Sequence, residues 1–150
     1  MKRGFTLIET MIYVALFVII IGGGFVGAYQ VISSSDYANR QSVIDEEGNF
    51  VIRKIEWALS GTQTINSPAL GVTGSTLSIN KYNFAPNNPV VFDLNMGVVR
   101  LKKGSGSPIS LTTSNVVVSN LSFTQIATSG IRASLTIQGK IFETTKYIRQ

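Results

Sequence analysis

The chain has 150 residues, of which 44% are hydrophobic and only 14% are charged, with a formal net charge of +5 and neither cysteine nor histidine. This length is enough for about one domain with a single modest core. Without cysteine and histidine the chain cannot form a disulfide scaffold, a thiolate zinc site, or a catalytic pair of histidine with serine or cysteine. The fraction of charged residues is low because the N-terminal part of the chain contains almost none.

The N-terminal part of the sequence predicts a membrane-spanning helix. After the short basic segment Met1-Lys2-Arg3-Gly4, residues 5–32 contain 28 positions and one charge, Glu9. A helix of that length at a rise of about 1.5 Å per residue measures roughly 42 Å, which exceeds the ~30 Å hydrocarbon core of a bilayer. The basic residues before the helix predict a cytoplasmic N-terminus, with the remainder of the chain outside.

A cleaved signal peptide and a plain anchor are the simplest interpretations of this segment. The apolar run before Val26-Gly27-Ala28 is longer than the roughly 7–15 residues of a signal peptide, whereas an anchor fits the length. Neither interpretation explains Glu9, because a carboxylate within an apolar helix costs several kcal/mol unless it is paired or protonated. Glu9 therefore either lies near the interface and reaches water or pairs with a positive charge at its own depth.

The segment Gly4-Phe5-Thr6-Leu7-Ile8-Glu9, preceded by Lys2-Arg3 and followed by the apolar run, resembles the prepilin signature of type IV pilins and type II secretion pseudopilins. The resemblance implies that a membrane prepilin peptidase cleaves between Gly4 and Phe5 and methylates the amine of Phe5. It also implies that Glu9 neutralises the Phe5 amine of a neighbouring subunit. An unpaired charge in a low-dielectric filament core is costly, so this pairing would fix the axial register of the subunits.

The resemblance further implies a structural subunit, minor rather than major, of a type IV pilus, a type II secretion pseudopilus or a competence filament. Its expected partners are the membrane, the prepilin peptidase and methyltransferase, and other pilin-like subunits. We expect a single-pass protein of the cytoplasmic (inner) membrane, which then becomes part of an extracellular or periplasmic filament.

The apolar segment departs from the family pattern near its end, where many pilins carry a proline that kinks the helix. Here the first proline is Pro68, and four glycines take that place: Gly22, Gly23, Gly24 and Gly27. Each glycine costs a water-exposed helix about 1 kcal/mol relative to alanine. The cluster is either a segment that bends or melts during assembly or a surface for close helix packing.

Residues 33–61 predict an amphipathic continuation of the helix that stops at Gly61. One apolar face contains Tyr37, Ile44, Val51, Ile55, Ala58 and Leu59, and the opposite face contains Ser42, Asp45, Glu46, Asn49, Arg53 and Glu56. A second apolar line, Val43, Phe50 and Trp57, flanks the first. The two lines either form one wide stripe beneath a sheet, or Phe50 and Trp57 face a neighbouring subunit.

Residues 62–150 predict an antiparallel β head. Strands are expected at 76–79 and 109–111, in a hairpin over 89–101 with its turn at Asn95-Met96-Gly97, and at 116–118, 121–124, 131–137 and 140–148, with a mobile connection over 102–108. The predicted fold class is α+β, with a long N-terminal helix packed against a C-terminal antiparallel sheet. The predicted organisation is a leader at 1–4, a membrane and assembly helix at 5–32, an amphipathic helix at 33–61 and the head at 62–150.

The head offers no recognisable enzyme site. Asp93 and Glu143 are its only acids, which argues against a catalytic carboxylate pair and against an acid-rich calcium loop. Gly104-Ser105-Gly106-Ser107 lacks the Gly-Lys-Ser/Thr ending of a phosphate-binding loop. We therefore expect no catalytic residue, no metal ligand and no cofactor.

The charges are divided between the two parts of the chain. Residues 58–150 contain eight basic and two acidic residues, whereas residues 5–57 contain three basic and six acidic ones. A basic head above an acidic helix favours head-to-helix contacts between staggered subunits, or simply reflects scattered solvated charge. The alternative function is a single-span membrane protein whose basic head binds DNA or an anionic surface.

Overall fold

A single long helix opens the fold. The computed structural model describes residues 6–148, and its helix α1 extends over Leu7–Leu59, 53 residues in all. The helix continues through the glycine cluster without interruption. It ends two residues before Gly61, the predicted stop, whose φ of +77° is the left-handed conformation that terminates helices and that glycine adopts without strain. The chain forms two compact units whose boundary in the sequence lies between Gln41 and Ser42.

Nine strands follow the helix within the described part of the chain. They are β1 (Thr62–Ser67), β2 (Thr73–Gly74), β3 (Leu77–Lys81), β4 (Val90–Asn95), β5 (Val98–Lys103), β6 (Ile109–Ser110), β7 (Val118–Ala127), β8 (Gly130–Ile137) and β9 (Lys140–Tyr147). All the pairings between these strands are antiparallel. The α+β class, with one long helix and antiparallel strands after it, is confirmed.

The strands form two sheets where a single sheet was expected. One has the order β1-β3-β4-β5-β6 and the other the order β2-β7-β8-β9. The two sheets meet where the β4–β5 turn approaches the start of β7, because the Val118 amide donates to the Gly97 carbonyl at 2.9 Å. The chain crosses from the first sheet to the second between β1 and β2. The hydrophobic pattern of the sequence did not predict either of these two strands.

The predicted hairpin is present, with Asn95 paired to Val98 across the two-residue turn Met96-Gly97. Its second strand is longer than expected. Lys102 and Lys103, which the sequence placed in a mobile connection, belong to β5 and pair with Val91 and Val90. The extension occurs because the ladder of hydrogen bonds with β4 continues past the last apolar residue, Leu101.

Both sheets and the C-terminal part of α1 share one core within residues 42–150. The helix contributes Ile44, Val51, Ile55, Ala58 and Leu59, and the strands contribute chiefly Leu77, Ile79, Val90, Phe92, Val99, Leu121, Phe123, Ile131, Ala133, Leu135 and Ile137. Five of the six residues predicted on the first apolar face of the helix are thus in the core. Tyr37, the sixth, is 68% exposed and precedes this unit in the sequence.

Candidate assembly site

The start of α1 is organised around Thr6 and Glu9. The Glu9 amide donates to the Thr6 hydroxyl at 3.4 Å, so Thr6 occupies the N-cap position and Glu9 is the third helical residue. A threonine followed three residues later by glutamate is the capping-box pattern, and an acid in the first turn interacts favourably with the helix dipole. Sequence reasoning missed this local role of Glu9, although the pattern Thr6-Leu7-Ile8-Glu9 was available to find it.

Among the described residues, the Thr10 hydroxyl is hydrogen-bonded within the helix, whereas the Glu9 carboxylate has no partner. The Thr10 hydroxyl donates to the Thr6 and Leu7 carbonyls at 3.0 and 3.2 Å. In contrast, no residue between Thr6 and Ile148 forms a hydrogen bond or an ion pair with the Glu9 carboxylate. Glu9 is half-buried. It remains available to a cation supplied from elsewhere.

The helix that carries Glu9 leaves its apolar side chains uncovered. Leu7, Ile20 and Phe25 are 77%, 71% and 73% exposed. The helix is long and apolar enough to cross a membrane, and its most apolar window is not buried within the chain. Such a surface needs either lipid or other apolar helices around it, because contiguous exposed apolar surface of this extent is unstable in water.

The second apolar line of the helix is neither buried nor fully exposed. Val43, Phe50 and Trp57 are 38%, 38% and 39% exposed, whereas the core residue Val51 is fully buried. The Trp57 ring contacts the edge of Phe84, with ring centroids 5.9 Å apart. The line is therefore partly accessible, and Trp57 is the member of it whose ring contacts an aromatic residue of the head.

Lys81 links β3 to the end of the helix beside this line. Its Nζ donates to the Trp57 and Ser60 carbonyls, each at 2.6 Å, and lies 4.3 Å from the centre of the Trp57 ring. Partial burial lowers the pKa of Lys81 below its ordinary value. The carbonyl bonds and the ring both interact favourably with the ammonium form. A cation at this position satisfies carbonyls that the helix leaves without partners and complements its dipole.

Replacing Lys81 with methionine should lower the free energy of unfolding by about 1–2 kcal/mol, because the methionine keeps the apolar stem but loses both carbonyl bonds. Urea unfolding of the detergent-solubilised chain, followed by the fluorescence of Trp57, measures this change. Lys102→Met is the matched control and should change stability by less than about 0.5 kcal/mol, since Lys102 is exposed. Equal effects of the two substitutions would contradict the capping role.

Acids on the helix also hold the head in place. The Glu47 carboxylate accepts from the Thr113 amide at 2.9 Å and from its hydroxyl at 2.5 Å. Glu56 accepts from the Thr144 hydroxyl at 2.8 Å, and Asp45 forms an ion pair with Lys140 of β9 at 2.5 Å. The sequence placed Asp45 and Glu56 on the face opposite the core. The second sheet accounts for the difference, because β9 extends along that side of the helix.

The two acids of the head are engaged separately and form no pair. Asp93 accepts from Nε and Nη2 of Arg100 at 2.9 and 2.7 Å across the β4–β5 hairpin, and this bond raises the pKa of Arg100. Glu143 accepts from the Ser134 hydroxyl at 3.1 Å in the other sheet. Both acids have local structural roles in their sheets.

Comparison with protein families identifies the N-terminal segment. Residues 1–25 match the family model described as the prokaryotic N-terminal methylation motif. The chain therefore carries the prepilin-type motif, which supports the type IV pilin and pseudopilin family and confirms the resemblance in the sequence. The expected cleavage and methylation residues, Gly4 and Phe5, belong to this motif but lie outside the described residues. Comparisons with curated proteins and with solved structures returned no match.

Proposed function

We propose that the chain is a structural subunit, of the minor pilin or pseudopilin kind, of a type IV pilus, a type II secretion pseudopilus or a competence filament. The observation that carries this proposal is the methylation motif at residues 1–25. Residues 1–4 are the leader, which a prepilin peptidase removes after Gly4 before methylating Phe5. Residues 5–32 anchor the subunit in the inner membrane and later form its assembly helix.

The remaining residues extend this proposal beyond the membrane. Residues 33–61 continue the assembly helix, and residues 62–150 form the head, which lies outside the cytoplasmic membrane. The uncovered apolar side chains of α1 support anchoring in lipid and, after assembly, packing against the helices of other subunits. The Glu9 carboxylate, which has no partner in the described chain, supports pairing with the Phe5 amine of a neighbour.

Mass spectrometry of the N-terminus of the protein from its native host tests the proposal. We expect a chain that begins at Phe5 and carries one methyl group. Gly4→Val is the control and should leave the leader attached, because the peptidase requires an unobstructed backbone at the scissile bond. A chain that retains Met1, or one that begins after Ala28 as a cleaved secretory protein would, contradicts the proposed function.

A further inference from the structure

A cleft in the head lies between the free edge of β1 and the turn that joins β7 to β8. β1 is the last strand of its sheet and pairs only with β3. Within residues 6–148, the backbone groups of Gln63, Thr64 and Ile65 form no hydrogen bond besides those to β3. Such an edge is a template for a further strand, because it presents a row of unpaired N–H and C=O groups.

A cavity of about 230 Å³ lies against this edge. It is lined by residues 63–65 of β1 together with Gln125, Thr128, Ser129 and Ile148. All of these residues belong to the unit that begins at Ser42. The volume is below the ~300–1,000 Å³ of sites for drug-sized ligands, and it suits one or two residues of an extended chain.

Gln125 is a buried polar residue whose carboxamide is incompletely bonded. The residue is only 9% exposed, and its Nε2 donates to the Thr128 carbonyl at 3.4 Å, longer than the ~2.7–3.2 Å of an ordinary N–H···O bond. In the described part of the chain no donor bonds to its Oε1, which is accessible from the cavity that Gln125 lines. A carboxamide can donate two hydrogen bonds and accept two. Gln125 therefore offers an acceptor and a donor, which match the N–H and C=O of a peptide group.

A second cavity continues the cleft and carries a positive charge. Its volume is about 560 Å³, and it is lined by the end of α1, residues 59–61, and by Lys146, Tyr147 and Ile148. The two cavities are adjacent, since Ile148 lines both. Among the residues that the structure describes, no acid pairs with Lys146. A carboxylate on a ligand would therefore meet an unpaired ammonium in this cavity.

We propose that this cleft binds an extended, acidic segment of a partner protein, which adds as a strand to the free edge of β1. The edge supplies backbone hydrogen bonds, the Gln125 carboxamide pairs with one peptide group of the segment, and Lys146 pairs with its acidic side chain. The backbone contacts give affinity, and the two side chains determine register and charge preference. The inference goes beyond the proposed function, because it involves only the head and does not depend on filament assembly.

Calorimetric titration of the full-length chain in detergent with a synthetic peptide tests strand addition. The probe is an acetylated and amidated pentapeptide that alternates threonine and valine around a central glutamate, and we expect a Kd of about 1 mM or tighter. Two further versions carry methyl groups on alternate backbone nitrogens. One of these should bind at least about tenfold more weakly, because it presents no N–H donors to β1. Equal binding of all three versions, or no binding of the probe, would overturn the proposal.

Substitutions of the two side chains test their separate roles. Gln125→Met keeps the length of the side chain but removes the carboxamide, and it should weaken binding of the probe by at least about fivefold. Lys146→Met should weaken the probe by a similar factor, yet change binding of a peptide with central glutamine by less than about twofold. Lys102→Met is the matched control, since Lys102 is exposed and lines neither cavity. Equal losses from Lys146→Met and Lys102→Met, or unchanged binding to Gln125→Met, would contradict these roles.

Amide hydrogen exchange locates the bound peptide without any substitution. Addition of a strand should slow exchange in residues 62–67, because their outward N–H groups gain partners, and in residues 125–129 across the cleft. The amides of β6, at the opposite end of the same sheet, should be unchanged. Protection of β6 or β9 without protection of β1 would place the peptide at another edge and overturn the proposal.

The same titration distinguishes the other occupants of the cleft. Residues 149 and 150 lie outside the described residues and follow Ile148 directly, so a chain shortened to end at Ile148 should bind the probe within about twofold of the full chain. A gain of more than about fivefold would make the chain's own C-terminus the occupant and overturn the assignment to a partner. An apparent affinity that falls as the concentration of the chain rises would do the same, because a second copy would then compete for the cleft.

Discussion

Substitution of Gly48 by leucine should lower the free energy of unfolding of the head by about 2 kcal/mol. A Cβ atom at this position would overlap Cζ of Phe142 and lie 2.5 and 2.6 Å from the two Cε atoms of that ring. The tip of the ring therefore points directly at the helix backbone and must leave its site when a side chain is added. Overpacking of this kind costs about 1–3 kcal/mol and occasionally more, which exceeds the ~1 kcal/mol that a helix gains when glycine is replaced.

The cause can be isolated by a double-mutant cycle. Phe142→Ala removes the ring, so the Gly48→Leu side chain can occupy the vacated space, and the two substitutions together should cost at least about 1 kcal/mol less than the sum of their separate effects. Asn49→Leu, one position further along the helix and exposed, should change stability by less than about 0.5 kcal/mol. Additive effects of Gly48→Leu and Phe142→Ala in urea unfolding would show that the contact does not limit the substitution.

Gly48 also illustrates what helix periodicity predicts and what it does not. The pattern predicted the extent of α1 and the buried face through Ile44, Val51 and Ile55, because both depend on local spacing and on a glycine stop after the last turn. A glycine in the middle of that helix is a local weakness. A glycine is needed there because the ring of Phe142, which is 94 residues away in the sequence, occupies the space of a side chain.

The division into two sheets could not be predicted for a similar reason. Alternation identified β4, β5 and β8, whose apolar residues face the core at every second position. It does not specify which strands pair after a crossover, and β1 is a largely polar strand with weak alternation. The pairing of β1 with β3 and the short β2 at the edge of the other sheet depend on tertiary contacts. That second sheet places Asp45 and Glu56 in contact with the head.

The N-terminal site was more accessible to sequence reasoning because its information is local. The motif at residues 1–25, the single acid in the apolar run and the basic residues before that run are all visible without a fold. The structure adds that Glu9 is the third helical residue, with its amide bonded to Thr6. Glu9 thus has two separable roles to consider, a local one at the helix start and the proposed one toward a neighbouring subunit.

Glu9→Gln and Glu9→Val should both be cleaved after Gly4 yet enter filaments at least about tenfold less efficiently than the natural chain, a factor that corresponds to ~1.4 kcal/mol. Glutamine is accepted at this position of a capping box but carries no charge, so it removes the proposed pairing with the Phe5 amine together with the smaller interaction of the acid with the helix dipole. Thr6→Ala is the converse variant, since it removes the N-cap hydroxyl and keeps the carboxylate. Quantification of each subunit in sheared filaments, with the N-terminal mass as a check on cleavage, measures the effect. If Glu9→Gln assembled normally while Thr6→Ala and Glu9→Val did not, the importance of Glu9 would lie in starting the helix rather than in pairing charge between subunits.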